Sequence, residues 1–302
     1  MAKKKRQWPA PDLPLGAEVM DNHTHLPLHP GEIPKADGYQ MPLAEQLALA
    51  GEVGVSRMIS VACALPDFEP NIELAHRESP VRAALAIHPN EAALHAGFTE
   101  TSPDGFKHVQ EDHHVPLVVA LEQLSEKLND PKVVAVGETG LDYYRTGEPG
   151  REAQAESFEI HLELARAHGL PLQIHDREAH DDTLKVLRRA ASRSQDIVFH
   201  SFSGDADMAR HLADRGWYAS FSGPLTYPAN AHLRDAFLAM PRELVLVETD
   251  APYLTPVPWR GSPNASYVMT HTVRAMADLW GVDAEEAAEI LMENSREVYG
   301  TW

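Results

Sequence analysis

The residues in this chain best suited to chemistry are histidines and carboxylates that close apolar runs. The first run ends Asp21-Asn22-His23-Thr24-His25. Residues two apart on a strand share a face, so both imidazoles can reach one ion from one side. A lone His-x-His is weak evidence, because surface strands produce it by chance. The pattern recurs in Val136-Gly137-Glu138, Gln173-Ile174-His175, Val198-Phe199-His200 and Val247-Glu248-Thr249-Asp250. An apolar strand gains no stability from a buried charge at its end, so five such endings call for a functional explanation.

Four histidines and two carboxylates make a nitrogen and oxygen ligand set suited to zinc, manganese, cobalt, iron or magnesium. A single catalytic zinc usually takes three protein ligands. Six therefore suit two divalent ions that share a carboxylate. By chain order Glu138 is the bridge. His23, His25 and Asp250 then hold one ion, and His175 and His200 the other. Such a pair activates a water and clamps the attacking and leaving oxygens. Asp250, the last of the set, is the candidate to orient that water and take its proton.

Around these six, several roles stay open. His88 closes the third run and either contacts a phosphate or leaving group or supports the ligands. Arg177 binds phosphate or forms a structural ion pair. Tyr143 stacks on a base or packs in its loop, and Asp142 positions a ligand or caps a turn. Glu248 alternates with Asp250 without a defined role. Cys63, the only cysteine, lies in an apolar run and reads as a buried, inert thiol.

Positioning these groups requires strands whose ends lie together. Apolar, β-branched runs at 18–25, 56–63, 82–88, 133–138, 171–175, 197–200, 217–222 and 244–250 read as eight strands buried on both faces. Helical periodicity falls between them, at 42–51, 116–129, 152–168, 179–191, 205–215 and 230–240, and again at 267–280 and 284–293. Alternation of this kind predicts a (β/α)8 TIM barrel, with its active site at the C-terminal ends of the strands. An open doubly wound sheet is the second choice, but no Gly-rich dinucleotide fingerprint follows any strand. Residues 17–302 read as one barrel domain and 1–16 as a disordered tail. The segment 97–115, with His108, His113 and His114, reads as a solvated insertion.

The net charge of −19, from 45 acidic against 26 basic residues, argues against an extended nucleic-acid-binding surface. It tolerates nucleic acid at a small site where metal ions supply positive charge. The chain contains no apolar stretch of membrane-spanning length and no apolar signal core after Lys3-Lys4-Lys5-Arg6. A cytoplasmic monomer with no membrane association and no obligate protein partner is expected.

The combination resembles the TatD family of metal-dependent deoxyribonucleases, among the amidohydrolase-like barrels. The resemblance rests on Asp21-Asn22-His23-Thr24-His25-Leu26, Ile87-His88-Pro89, Gly137-Glu138-Thr139-Gly140-Leu141-Asp142-Tyr143, Ile174-His175-Asp176-Arg177-Glu178-Ala179, His200-Ser201-Phe202-Ser203-Gly204 and Glu248-Thr249-Asp250-Ala251-Pro252-Tyr253-Leu254. Arg260-Gly261 and Asn264 extend it, and it runs from about residue 19 to the C-terminus. It implies metal roles for His23, His25, Glu138, His175, His200 and Asp250, with magnesium, manganese or zinc as the ions. It also implies hydrolysis of phosphodiester bonds, at DNA ends or in short oligonucleotides. The chain departs from the family pattern at Thr139, at Asp176-Arg177-Glu178 and at Ala265-Ser266. These changes leave the ligand set intact and bear on substrate preference. Two other readings fit the residues: a binuclear hydrolase of another ester or an amide, such as an aminoacyl ester or lactone, and a metal-binding protein without catalysis.

Overall fold

The computed structural model describes residues 6–192 and 194–302. Its strands are β1 (Val19–Thr24), β2 (Val55–Ala62), β3 (Val81–Leu85), β4 (Val133–Asp142), β5 (Leu172–Arg177), β6 (Ile197–Phe199), β7 (Tyr218–Phe221) and β8 (Val245–Val247). The helices are α1 (Leu43–Val53), α2 (Leu65–Arg77), α3 (Pro89–His95), α4 (Leu117–Lys127), α5 (Glu148–His168), α6 (His180–Ala190), α7 (Ala206–Ala213), α8 (Ala231–Ala239), α9 (Thr270–Trp280) and α10 (Ala284–Tyr299). The strands follow chain order in the sheet, pair in parallel and alternate with helices, which is the (β/α)8 TIM-barrel fold. Asn22 Nδ2 donates to Val247 O at 2.6 Å and Asp250 N to His23 O at 3.0 Å, so the last strand runs beside the first.

Two compact units divide the chain. The first comprises Met1–Ser60, Glu78–Val81 and Gly204–Trp302; the second comprises Val61–Arg77 and Arg82–Ser203. Within the first, Val19, Met20, Met58, Phe221, Leu246 and Tyr267 are buried. Within the second, Leu85, Ile87, Val136, Phe158, Ile174 and Phe199 are buried. Helix α5 shows how the sequence builds such packing. Phe158, Leu162 and Ala165 recur at helical spacing on its buried face, and Gly169 ends it in the left-handed conformation at φ +65°.

All eight expected strands form, but three details differ. Strand β4 does not stop at Glu138; it continues to Asp142, pairing Gly140 with His175 and Asp142 with Arg177. Gly140 makes this possible. Its φ is +134°, and a Cβ there would fall 2.1 Å from His175 O. Strand β3 stops at Leu85, so His88 is not a strand residue but the N-cap of α3. The expected tail at 1–16 is also revised. Residues 1–5 lie outside the described residues, while 6–16 are held against the first unit. There Tyr267 Oη donates to Pro9 O at 2.8 Å, Arg274 Nε to Asp12 Oδ2 at 3.0 Å, and Leu15 N to Val53 O at 3.1 Å.

The segment 97–115 is largely exposed, as its composition suggested, and a few contacts tie it to the rest of the second unit. Ser102 is buried, His108 Nε2 lies 2.7 Å from Arg145 O, and Gln110 Nε2 donates to Leu94 O at 2.7 Å. Among the described residues, no helix is long and apolar enough to cross a membrane.

Candidate metal centre

In the first unit, β1 presents His23, the residue just beyond it is His25, and the turn after β8 presents Asp250. His25 Nε2 lies 3.4 Å from Asp250 Oδ1, and His23 Nε2 lies 4.0 Å from the same oxygen. The ligand atoms of all three fall within 4.8 Å of one another. Asp250 has φ +51°, in the left-handed region that an aspartate tolerates better than most residues. The intervening positions lock the strand. Asn22 binds Ser220 Oγ and Val247 O, and it accepts from Tyr299 Oη at 3.2 Å. Asp21 accepts from Thr249 N and Oγ1 at 2.8 and 2.6 Å. Glu248, whose role the sequence left open, is fully buried, and its charge adds to the burial that pushes the Asp21 carboxyl up to about 7.

The second unit holds a tighter group. Glu138 Oε2 lies 2.7 Å from His200 Nε2 and 3.0 Å from His175 Nδ1, and those two nitrogens are 3.3 Å apart. Ligands held about 2.0–2.1 Å from one tetrahedral ion stand about 3.3 Å from each other. The donor types and their spacing therefore fit a divalent cation. Burial pushes the Glu138 carboxyl up, but His200, His175 and His88 outweigh it and hold the acid well below its usual range. Burial likewise pushes His175 down, while Asp142 and Glu138 overcome it and raise the imidazole to about 9. The carboxylates around His175 demand a positive charge, which a proton or a metal ion can supply.

Asp142 does both things the sequence allowed. Its Oδ2 lies 3.1 Å from His175 Nε2, fixing the ring that offers Nδ1 to the centre. Its Oδ1 accepts from Arg145 N at 2.8 Å and caps the turn. Its even spacing from Glu138 along one strand was the available signal.

His88 packs edge-on against His175, with ring centroids 4.7 Å apart. Its Nδ1 accepts from Asn90 N at 3.1 Å, and burial holds its pKa at about 4, so it is neutral with the proton on Nε2. Tyr143 donates its hydroxyl to Asp182 at 2.9 Å and lies under Arg151, whose guanidinium is 4.0 Å from the ring centroid. Arg177 is exposed at the end of β5, its guanidinium 4.0 Å from the Tyr144 ring centroid, so no carboxylate pair is what places it.

Two functional neighbours escaped the sequence reading. Cys63 is only partly buried, and its Sγ lies 3.4 Å from Glu138 Oε1. The expectation of a buried thiol is not met, because β2 ends at Ala62 and leaves Cys63 beside Glu138. His161 is fully buried in α5. It accepts from Ile87 N at 3.0 Å through Nε2 and donates from Nδ1 to Ser157 O at 2.6 Å. It thereby fixes the backbone immediately before His88. Nothing in its spacing distinguished it from a core residue.

The family described as TatD related DNase matches residues 20–300. An uncharacterized metal-dependent hydrolase of Mycobacterium tuberculosis named TatD is 38% identical over 288 residues, covering 93% of this chain and 98% of that protein. The uncharacterized metal-dependent hydrolase YabD of Bacillus subtilis is 28% identical, over 93% of this chain and 98% of its own. Among solved structures, the TatD homologue YjjV of Escherichia coli superposes with a TM-score of 0.77 at 28% identity, covering 94% of this chain and 98% of that one.

Proposed function

The chain belongs to the TatD-related family of metal-dependent hydrolases, and on that premise we propose that it is a deoxyribonuclease that shortens DNA from an end. The buried group of Glu138, His175 and His200, oriented by Asp142, carries this reading. In the first unit, the group of His23, His25 and Asp250 offers a ligand set of its own. Two divalent ions of the magnesium, manganese or zinc kind, held by these residues, would supply Lewis acidity toward a water and the phosphoryl oxygens.

The chain's own residues do the remaining work. Asp250 orients the water and takes its proton, its left-handed backbone being the kind of local strain that functional sites retain. Glu138 stays ionised throughout, as its imidazole neighbours dictate. His88, with Nδ1 occupied by the helix cap, offers Nε2–H to a phosphoryl or leaving oxygen. Arg177 is the exposed basic group at the end of β5 and is available to a phosphate. Tyr143 is left to packing. A net charge of −19 repels long duplex DNA and favours strand ends and short oligonucleotides, bound by a monomer.

The test is metal-stripped protein with end-labelled single-stranded DNA, to which magnesium, manganese or zinc is returned, with Glu138→Ala as control. Progressive shortening from one end is expected, with a loss on the order of 10³-fold in the variant. Intact DNA under every metal, alongside metal-dependent cleavage of carbonyl esters, would overturn the phosphodiester assignment.

A further inference from the structure

A second group of imidazoles gathers around a glutamate elsewhere in the second unit. Glu91 stands in the first turn of α3, and His95 is the last residue of that helix. His113 and His114 lie just before α4. His114 Nε2 is 3.1 Å and His113 Nε2 is 3.3 Å from the same oxygen, Glu91 Oε2. The three ligand atoms lie within 4.8 Å of one another. Ligands around one tetrahedral ion stand about 3.3 Å apart, which is the separation found here.

His95 provides an independent observation. Its Nδ1 lies 2.7 Å from Val115 O, and a carbonyl can only accept, so Nδ1 carries the proton. Nε2 is then a bare lone pair, buried and without a hydrogen-bond partner, on a residue only 4% exposed. The His95 ring centroid is 5.1 Å from that of His114 and 6.3 Å from that of His113. An imidazole tied through Nδ1–H to a backbone carbonyl, with Nε2 left open, is arranged as metal-binding histidines are.

We propose that Glu91, His113 and His114, with His95 beside them, form a structural site for one zinc-class divalent ion, separate from the Glu138, His175 and His200 group. Two imidazoles and a single carboxylate, with the His95 imidazole beside them, suit zinc, cobalt or nickel, not magnesium or calcium, which take oxygen ligands. His113 and Glu91 are partly exposed, so an ion can enter from solvent. Glu111 N donates to His114 Nδ1 at 2.7 Å, which leaves the proton on Nε2; on binding, that bond from Glu111 N breaks and the proton moves to Nδ1, where Glu111 O at 3.3 Å accepts it. The ion ties the 97–115 segment to α3, the helix whose N-cap is His88.

The full-length wild type, the double variant His113→Ala/His114→Ala and Glu91→Gln are each loaded with zinc, passed over chelating resin and analysed for bound zinc per chain. Both variants should retain one zinc fewer than the wild type, with circular dichroism spectra unchanged. A cobalt(II) titration of each protein should show one fewer tetrahedral absorption step in the variants. Equal zinc content in the wild type and the isosteric Glu91→Gln variant overturns the site, even if the double variant does not fold. The zinc count is independent of any activity on DNA, so it stands or falls apart from the nuclease proposal.

Discussion

Replacing His161 with leucine removes one buried imidazole and should change how stability responds to pH. His161 is fully buried, and burial holds its pKa at about 4 against 6.5 when exposed. In the unfolded chain the ring protonates below 6.5. In the folded chain it stays neutral until about pH 4, because Nε2 is committed to accepting from Ile87 N. Between those values the unfolded state binds more protons, so stability is fully present above 6.5 and is lost as pH falls. The complete loss is about 3 kcal/mol, and about 2 kcal/mol of it has gone by pH 5. The leucine variant has no such term. It should be less stable than wild type at pH 7 by about 1–3 kcal/mol, since Ile87 N is left without an acceptor. Between pH 7 and pH 5, however, it should lose about 2 kcal/mol less than wild type. Urea denaturation of both proteins at the two pH values, in chelator so that ligand protonation is shared, measures this difference. Equal losses in the two proteins would refute the neutral, Nδ1-protonated assignment and with it the account of how Ile87 and His88 are held.

Asp142→Ala should leave the fold in place but weaken metal binding by about 10–100-fold, because His175 loses the partner that orients it; competition with a chelator measures the change. Unaltered affinity would show that Asp142 is only a turn cap. Gly140→Ala should cost more than about 3 kcal/mol, or prevent folding, since its Cβ would collide with His175 O where β4 and β5 pair. Soluble yield and a thermal melt report this, and a wild-type melt would refute the close approach.

The eight strands were legible because strands buried on both faces are built on short apolar, β-branched runs, as in Val245–Val247 and Ile197–Phe199. Two helices were not. Helix α2 contains Pro70 inside its span, a residue that ordinarily argues against a helix interior. Helix α3 has only seven residues and starts at Pro89, too short for periodicity to register. The six ligand positions were readable as polar endings on apolar runs. Asp142 was readable as a ligand-positioning or turn-capping residue, but the choice needed β4 to run four residues past Glu138; His161 gave no such signal.

The sequence by itself determined the alternation of strands and helices and the ligand types at the strand ends, since both follow from local periodicity and the cost of burying charge. Tertiary structure alone decided which side chains meet. Glu138 is held ionised by histidines from β5 and β6, His161 reaches from α5 to the backbone of Ile87, and His95, His113 and His114 gather about Glu91 from either side of a loop. Contacts of this kind depend on strand register and on packing between elements distant in the chain. The same dependence sets protonation, because the burial that moves His88 and His161 to about 4 exists only once the chain has folded around them.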